Sequence, residues 1–456
     1  MAAAGQEQFL APSRGPVAAT ETGGRGVLLA LLMISVLIPI QPEVAGLRLD
    51  PFRLFLLLTA IPFAVALLSG RAGRFTLSDG LMFGFGIWVL FTYVYHHGME
   101  RFPYGTVAML ELLGGYMAGR LLVRSVADYR RLIRYFLVAL VVMLPFAIYE
   151  MNTGRMPISE FLGRFISVQQ KLEGYVRFDL SRVQVVFPHA ILYGLFCSLA
   201  FSGIFYLYSK NTAMMIPRLL LCALMALSSL SSGPWLSIAV QSILIIWDRI
   251  TGGKWVLLIV ISICMHIFIE SFSNRGTILI IIETFTLNPM TGWWRIHIWN
   301  YGTENVLNNP VFGIGLNDWV RPEWLAPTVD NFWLVIAMRH GFPGIGLLGL
   351  AIVIHVLRVV RAKGLSEEQS LARTAYMVSL AGLLFTLTTV HVWSSVAMLV
   401  MFCIGMGGFF YDNGGRASPE GETAPDTGHS PSPDMAGGRS SGPALSRFPP
   451  RPARRA

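Results

Sequence analysis

Charge is what this sequence has least of. Asp, Glu, Lys and Arg make up 13% of its 456 residues and apolar residues 54%, more apolar surface than a water-soluble core of that length can bury. Lipid, not water, is therefore the expected solvent. Cysteine is scarce as well: Cys197, Cys222, Cys264 and Cys403 lie in or beside apolar runs, without the paired spacings that hold zinc or staple small secreted domains. Neither a disulfide framework nor a metal site is expected, and the four thiols read as core-filling. Strand-and-turn alternation is missing, which removes the membrane barrel. A small-residue cleavage site is missing after the first apolar stretch, which ends at Ile40, and Gln41-Pro42-Glu43 leads into more apolar sequence. The first run therefore reads as a retained anchor, not a signal peptide.

What the chain has instead is hydrocarbon in long blocks. About 12 apolar runs of roughly 20 residues, the length that crosses a hydrocarbon core of about 30 Å, begin near Val27, Phe52, Leu81, Tyr104, Leu132, Val186, Ala213, Leu236, Trp255, Phe342, Thr374 and Val396. Backbone groups without water must bond internally, so helices fill these runs. The expected fold is all-α: a polytopic membrane protein of about 12 transmembrane helices with a large periplasmic loop before the tenth. Its parts are a cytoplasmic segment 1–25, a membrane domain 26–411 with outer loops 150–185 and 270–331, and a cytoplasmic tail 412–456. That tail is rich in Pro, Gly, Ser and Arg, buries too little to fold and reads as disordered, resting on anionic lipid.

Orientation follows from the basic residues. Alternate short loops carry Arg71 and Arg74, then Arg124, Arg130, Arg131 and Arg134, then Lys210 and Arg218, Arg249 and Lys254, and finally Arg358, Arg361, Lys363 and Arg373. The positive-inside rule puts these loops, and with them both termini, in the cytoplasm. Gly364 is then inside and Gly302 outside. Seven of the nine histidines fall on the outer side (His96, His97, His189, His266, His297, His340 and His391), together with Arg155, Arg164, Arg177, Arg182, Arg275, Arg295, Arg321 and Arg339. Exposed charges are usually solvated and nothing more. Arginines gathered on the face that the same rule depletes are harder to put down to solvation alone.

The second outer loop carries most of the motifs. From Trp293 to Leu307 an aromatic helix is expected, bounded by Thr291 and by Asn309-Pro310. At about 3.6 residues per turn, Trp294, His297, Ile298 and Tyr301 share one face and Arg295, Trp299 and Gly302 another. Such a helix suits the headgroup zone. Gly313-Ile314-Gly315 lacks the third glycine and the βαβ setting of a dinucleotide site, and reads as a turn. Beyond it, Asn331 to Arg361 is too long for one untilted span, so Gly341-Phe342-Pro343-Gly344 should split it into a short surface helix and a true span. Asp330 falls at the N-cap of that short helix. Capping accounts for an aspartate there, and so does work as a general base.

Inside the runs Glu111 is the clearest ionisable residue. Paired midplane charges, the mark of ion-coupled transport, are not evident, so the chemistry is expected at the membrane surface.

These features in this order resemble the O-antigen ligase and O-antigen polymerase family of bacterial envelope glycosyltransferases. The resemblance covers residues 26–411 and is strongest from Asn288 to Gly346; Arg177 and Arg182 ahead of Phe187-Pro188-His189, and the Ser231-Ser232-Gly233 turn, also fit it. The family often reads Ser-Arg-Gly at that turn and His-Asn where this chain has Asp330-Asn331.

The resemblance implies transfer of a glycan from an undecaprenyl-diphosphate carrier to an acceptor hydroxyl, a glycan end or the lipid A core. Transfer would occur on the periplasmic face of the bacterial inner membrane, without metal or cofactor, beside other polysaccharide-assembly proteins, and involves no nucleic acid. Guanidinium forks match a diphosphate leaving group, which makes Arg177, Arg182 and Arg295 the phosphate candidates. Asp330 is the candidate base and His340 its rival. Trp293, Trp294 and Trp299 would stack on sugars or sit among headgroups. A lipid-linked sugar or polysaccharide flippase or exporter is the alternative, and a non-catalytic assembly scaffold a third reading.

Overall fold

The computed structural model describes residues 17–44, 46–171, 176–273 and 289–412, with positions 277 and 280. The tail beyond Asp412, the first residues of the N-terminal segment and Arg275 lie outside the described residues.

Helices dominate. In chain order they are α1 Val17–Leu37, α2 Pro51–Leu68, α3 Leu77–His97, α4 Phe102–Met109, α5 Gly115–Leu122, α6 Val126–Thr153, α7 Pro157–Leu162, α8 Ala190–Ser198, α9 Phe201–Leu207 and α10 Thr212–Ser228. There follow α11 Ser232–Thr251, α12 Trp255–Phe272, α13 Pro289–Asn308, α14 Phe332–Val360, α15 Glu367–Thr386, α16 Ser394–Gly405 and α17 Phe409–Asp412. Their ends are set by local chemistry. Thr76 with Asp79 and Ser366 with Gln369 form capping boxes, Ser125 and Asn211 cap α6 and α10, and Gly154 and Gly252 close α6 and α11 in the left-handed conformation.

Among the described residues, seven helical stretches are long and apolar enough to cross a membrane, and two shorter apolar ones, Gly23–Leu37 and Thr212–Ser228, lie beside them. The chain is a helical membrane protein. The other expected spans are interrupted or more polar. One is broken by a π-helical turn, Leu110–Gly114, between α4 and α5, and α11 and α15 carry charged residues toward one end, Asp248 and Arg249 on α11 and Glu367, Glu368 and Arg373 on α15.

Packing inside the bundle depends on close backbone approach. A Cβ on Gly119 would lie 2.1 Å from the Phe402 carbonyl, and one on Gly405 would lie 2.2 Å from that of Tyr116. α5 and α16 therefore cross with their backbones almost touching, as small residues permit between membrane helices. One end of that crossing is tied by Arg120, whose side chain is 0% exposed: its guanidinium bonds Asp79 Oδ1 and Asp412 Oδ2, each at 2.9 Å. Arg130 on α6 pairs with Glu368 on α15 at the surface. By contrast α12 has no buried residue at all, and Cys264 on it is exposed, whereas Cys197, Cys222 and Cys403 are buried as expected.

At the opposite end the connecting segments interlock. Loop 39–42 pairs with 167–169 through an Ile40–Val168 bridge and the bonds Gln41 N→Ser167 O and Gln169 N→Pro39 O. The first outer loop folds into a two-residue hairpin, Val176–Arg177 against Leu180–Ser181, whose tip residues Phe178 and Asp179 take positive φ. In the second, α13 and the loop after it build a satellite core from Ile298, Val306, Trp319, Leu325, Leu334 and Met338. Asn305 pins that loop, with Nδ2 bonding Val320 O and Oδ1 accepting from Val320 N.

The expected break in α14 is present at Gly341, where φ is 66° and ψ is −172°. Its first part is not a surface helix, since Leu334, Val335, Ile336 and Met338 are buried. The turn read at Gly313 fits into this break: Ile314 N bonds Met338 O, Gly315 N bonds Arg339 O and Phe342 N bonds Pro310 O. The N-cap assignment is corrected by one residue. Asn331, whose side chain accepts from Leu334 N, caps the helix, and Asp330 does not.

Two outcomes follow. Gly302 is buried against Leu334, so sidedness is better tested at Val320, 79% exposed, and at exposed Lys363. In a cysteine-free background an impermeant maleimide applied to intact cells is expected to label Val320→Cys and spare Lys363→Cys; the reverse pattern would invert the topology. Gly341→Ala forces a side chain into a conformation reserved for glycine and 2.2 Å from Val311 O, so a loss of about 1–3 kcal/mol is expected in detergent unfolding. An unchanged midpoint would remove the break as a constraint.

Candidate active site

The turn between α10 and α11, Ser229-Leu230-Ser231, is where the outer arginines converge. Leu230 takes φ 46°, an uncommon left-handed bend for a branched residue. Around that bend Arg177 Nη1 donates to Leu230 O at 3.0 Å, Arg182 Nε to Ser229 O at 3.3 Å and Arg182 Nη2 to Ser231 Oγ at 2.7 Å. Arg295, reaching in from α13, donates Nη2 to Ser232 Oγ at 3.3 Å, and its buried Nε has no partner among the described residues. The three predicted phosphate ligands, from two loops far apart in sequence, are thus brought to one turn.

Together they line a cavity of about 780 Å³ with Arg339, Asp330, His189, His391 and Trp393, a volume within the range of small-molecule sites. Its other carboxylate, Asp318, is already paired with Arg321 at 2.6 Å. The lining is therefore strongly cationic. Burial raises the Asp330 carboxyl above its usual value against the downward pull of Arg295 and Arg182. Burial also lowers the Arg295 guanidinium, opposed by Asp330 and reinforced by Arg177, although a guanidinium stays charged at any physiological pH. His189 is held down to about 4 by burial and by Arg182. It is spent locally, since its Nδ1 caps α8 by accepting from Ile191 N at 3.0 Å.

The rival base is placed elsewhere. His340 is 2% exposed, its Nδ1 bonds Thr92 Oγ1 at 2.7 Å and its carbonyl accepts from Trp88 Nε1; it does not line the arginine cavity. Of the tryptophans, Trp299 lines an apolar groove of about 300 Å³ that shares Arg295 and Asp330 with the cavity. Trp293 and Trp294 instead pack around Trp324, with ring centroids 5.5 and 5.8 Å away. Glu111, the isolated acid of the sequence, is paired with Arg53 at 2.7 Å. Arg339 and His391 are site residues that sequence reasoning missed. Arg339 counted as one basic residue among many, and nothing near His391 in sequence ties it to the second outer loop. Among the described residues no group of three or more His, Cys, Asp or Glu is placed to hold a metal.

The matched region is now recognisable. Residues 218–349 match the family model described as O-antigen ligase. The resemblance read from the motifs is borne out over that stretch, which contains the Ser229–Ser232 turn, Arg295, Asp330 and Arg339, while Arg177, Arg182 and His391 reach the cavity from outside it. No curated protein matches the chain. The O-antigen ligase match supports glycosyl transfer of the ligase or polymerase type in the cell envelope.

Arg295→Lys keeps the charge and discards the fork. With purified protein, affinity for inorganic pyrophosphate is expected to fall on the order of tenfold at unchanged thermal stability, because a bidentate contact needs the planar group. Equal affinity would leave Arg295 as an anchor of α13 to Ser232.

Proposed function

We propose that this protein is an inner-membrane glycosyltransferase that moves a glycan from undecaprenyl diphosphate to an acceptor hydroxyl on the periplasmic face, as an O-antigen or exopolysaccharide polymerase or an O-antigen ligase. The observation that carries the reading is the convergence of Arg177, Arg182 and Arg295 on one turn beside Asp330, within and around the O-antigen ligase match. In this reading the chain crosses the membrane about 12 times with both termini in the cytoplasm, and the arginine cavity faces the periplasm.

The arginines hold the diphosphate. Asp330 Oδ takes the proton as the acceptor O–H bond breaks, and the hydroxyl oxygen attacks the anomeric carbon. The bond from that carbon to the phosphate oxygen breaks, its electron pair leaving with undecaprenyl diphosphate. Charge grows on the leaving phosphate as this happens, and preorganised guanidinium groups are worth most where charge develops. A single displacement of this kind inverts the anomeric centre. The apolar groove bordered by Trp299, Trp333, Leu334 and Phe385 begins at Arg295 and Asp330, which suits a prenyl chain leaving the diphosphate. With burial holding its carboxyl up, Asp330 is a stronger base than a solvated carboxylate, and it works only ionised. Activity should therefore fall as pH drops through that raised value.

Asp330→Asn separates the base from a structural role. Since Asn331 already caps α14, the substitution should leave thermal stability unchanged, while turnover of a lipid-linked donor in liposomes drops on the order of 10²- to 10⁴-fold. A stable and active variant would take Asp330 out of the reaction.

A further inference from the structure

The arginine cavity shares a wall with a second chamber of about 230 Å³: Val335, Arg339, His391 and Trp393 line both. The chemistry of the two differs. The second chamber's carboxylate, Glu111, is paired with Arg53 at 2.7 Å, exposed Arg48 also lines it, and the rest of its polar lining includes His340, the phenols of Tyr93 and Tyr104 and the amides of Gln41 and Gln169. Amides and aromatic rings bind sugar hydroxyls and sugar faces, whereas three guanidinium groups gathered on one turn match a phosphate.

The lining is also rigid. Gln41 Nε2 donates to Gln169 Oε1 at 2.7 Å, and the backbones of both residues are locked by the 39–42 and 167–169 pairing. The volume suits a sugar unit, not a chain.

His391 stands at the junction. Its ring lies between Phe332 and Trp393, with centroids 6.3 and 5.9 Å away and interplanar angles of 21° and 30°. Its Nδ1 is buried with no partner among the described residues. A buried ring nitrogen without a partner is costly, and a hydroxyl arriving where the two cavities meet would satisfy it.

We infer that the second chamber is the acceptor site: it takes the terminal sugar of the acceptor glycan, and His391 orients that sugar's hydroxyl toward Asp330 and the donor across the shared wall. This rests on the glycosyl-transfer reading and adds to it where the second substrate enters. Two substrates then occupy two chambers, and His391 is a hydroxyl-positioning residue between them.

The test separates the chambers by ligand. The purified full chain in lipid nanodiscs is titrated with two probes. One is undecaprenyl diphosphate without sugar, and the other is the oligosaccharide freed by mild acid from the source cells' lipid-linked repeat. His391→Phe keeps the stacked ring and removes the hydrogen bond, and Gln169→Ala removes an amide that lines the second chamber and not the arginine cavity. Both are expected to weaken oligosaccharide binding about tenfold, the worth of one hydrogen bond, and to bind undecaprenyl diphosphate as the wild type does. His391→Gln, which retains hydrogen-bonding capacity, should restore most of the oligosaccharide affinity. Arg295→Ala should show the opposite split.

If His391→Phe and Gln169→Ala, at unchanged thermal stability, bind the oligosaccharide as well as wild type, the acceptor assignment is overturned and the transferase reading stands. A wild-type protein that binds neither probe overturns the transferase reading and this assignment with it.

Discussion

Guanidinium groups held by oxygens that carry no formal charge set the character of this molecule. Arginine cannot shed its proton in a protein, so burying it is costly unless hydrogen bonds replace the lost water. Elsewhere that requirement is met with carboxylates: Arg120 has Asp79 and Asp412, Arg53 has Glu111 and Arg321 has Asp318. At the α10–α11 turn it is met by the carbonyls of Ser229 and Leu230 and the hydroxyls of Ser231 and Ser232. Neutral acceptors fix the geometry of a guanidinium without cancelling its field. Guanidinium groups fixed in this way face an incoming anion already oriented.

The opposite wall owes its shape to two glycines that meet. Gly313 and Gly341 both have positive φ, and a Cβ on either would run into the other's strand of backbone, at Arg339 C and at Val311 O. That close fit stops α14 for one residue between Arg339 and Phe342 and holds the 309–315 turn against the break. Arg339 is thereby aimed at the cavity and His340 away from it, although the two are adjacent in sequence. At the helix's start Asn331 supplies the cap. Asp330 consequently spends none of its hydrogen-bonding capacity on the helix, and its carboxyl stays beside Arg295 in the cavity.

The parts of this arrangement that were legible in sequence are those where a residue violates a strong rule. Basic residues are depleted from the loops assigned to the outer face, so eight arginines stood out there, the family resemblance narrowed them to Arg177, Arg182 and Arg295, and Gly341 with Pro343 announced a break in an overlong apolar run. What was not legible depends on partners distant in the chain. Arg339 stood beside the Gly341–Gly344 break with nothing to single it out from the other basic residues, His391 enters the cavity from a segment that carries no motif, and Glu111 looked solitary because Arg53 lies 58 positions away. The Asp79–Arg120 pair, 41 positions apart, escaped notice because each partner sits close to a helix end, where charge is ordinary. The cap moved by one residue because Asp and Asn serve equally well there and only the backbone decides between them. Cys264 departed from expectation because the run that holds it is apolar all round, and such a run looks the same whether protein or lipid surrounds it.

That last helix obeys a different selection from its neighbours. α12 is 18 residues long with none buried, so at 1.5 Å per residue it reaches about 27 Å, close to the thickness of the hydrocarbon layer. Shape complementarity with other helices places little demand on its side chains, and almost any apolar replacement of similar bulk leaves its surroundings equally content. Its length is the constrained quantity. A thicker or thinner bilayer acts on α12 directly through hydrophobic mismatch, and tilting relieves that mismatch without disturbing the glycine-tight crossing of α5 and α16. The evolutionary clock of this segment should therefore run fast in identity and slowly in length.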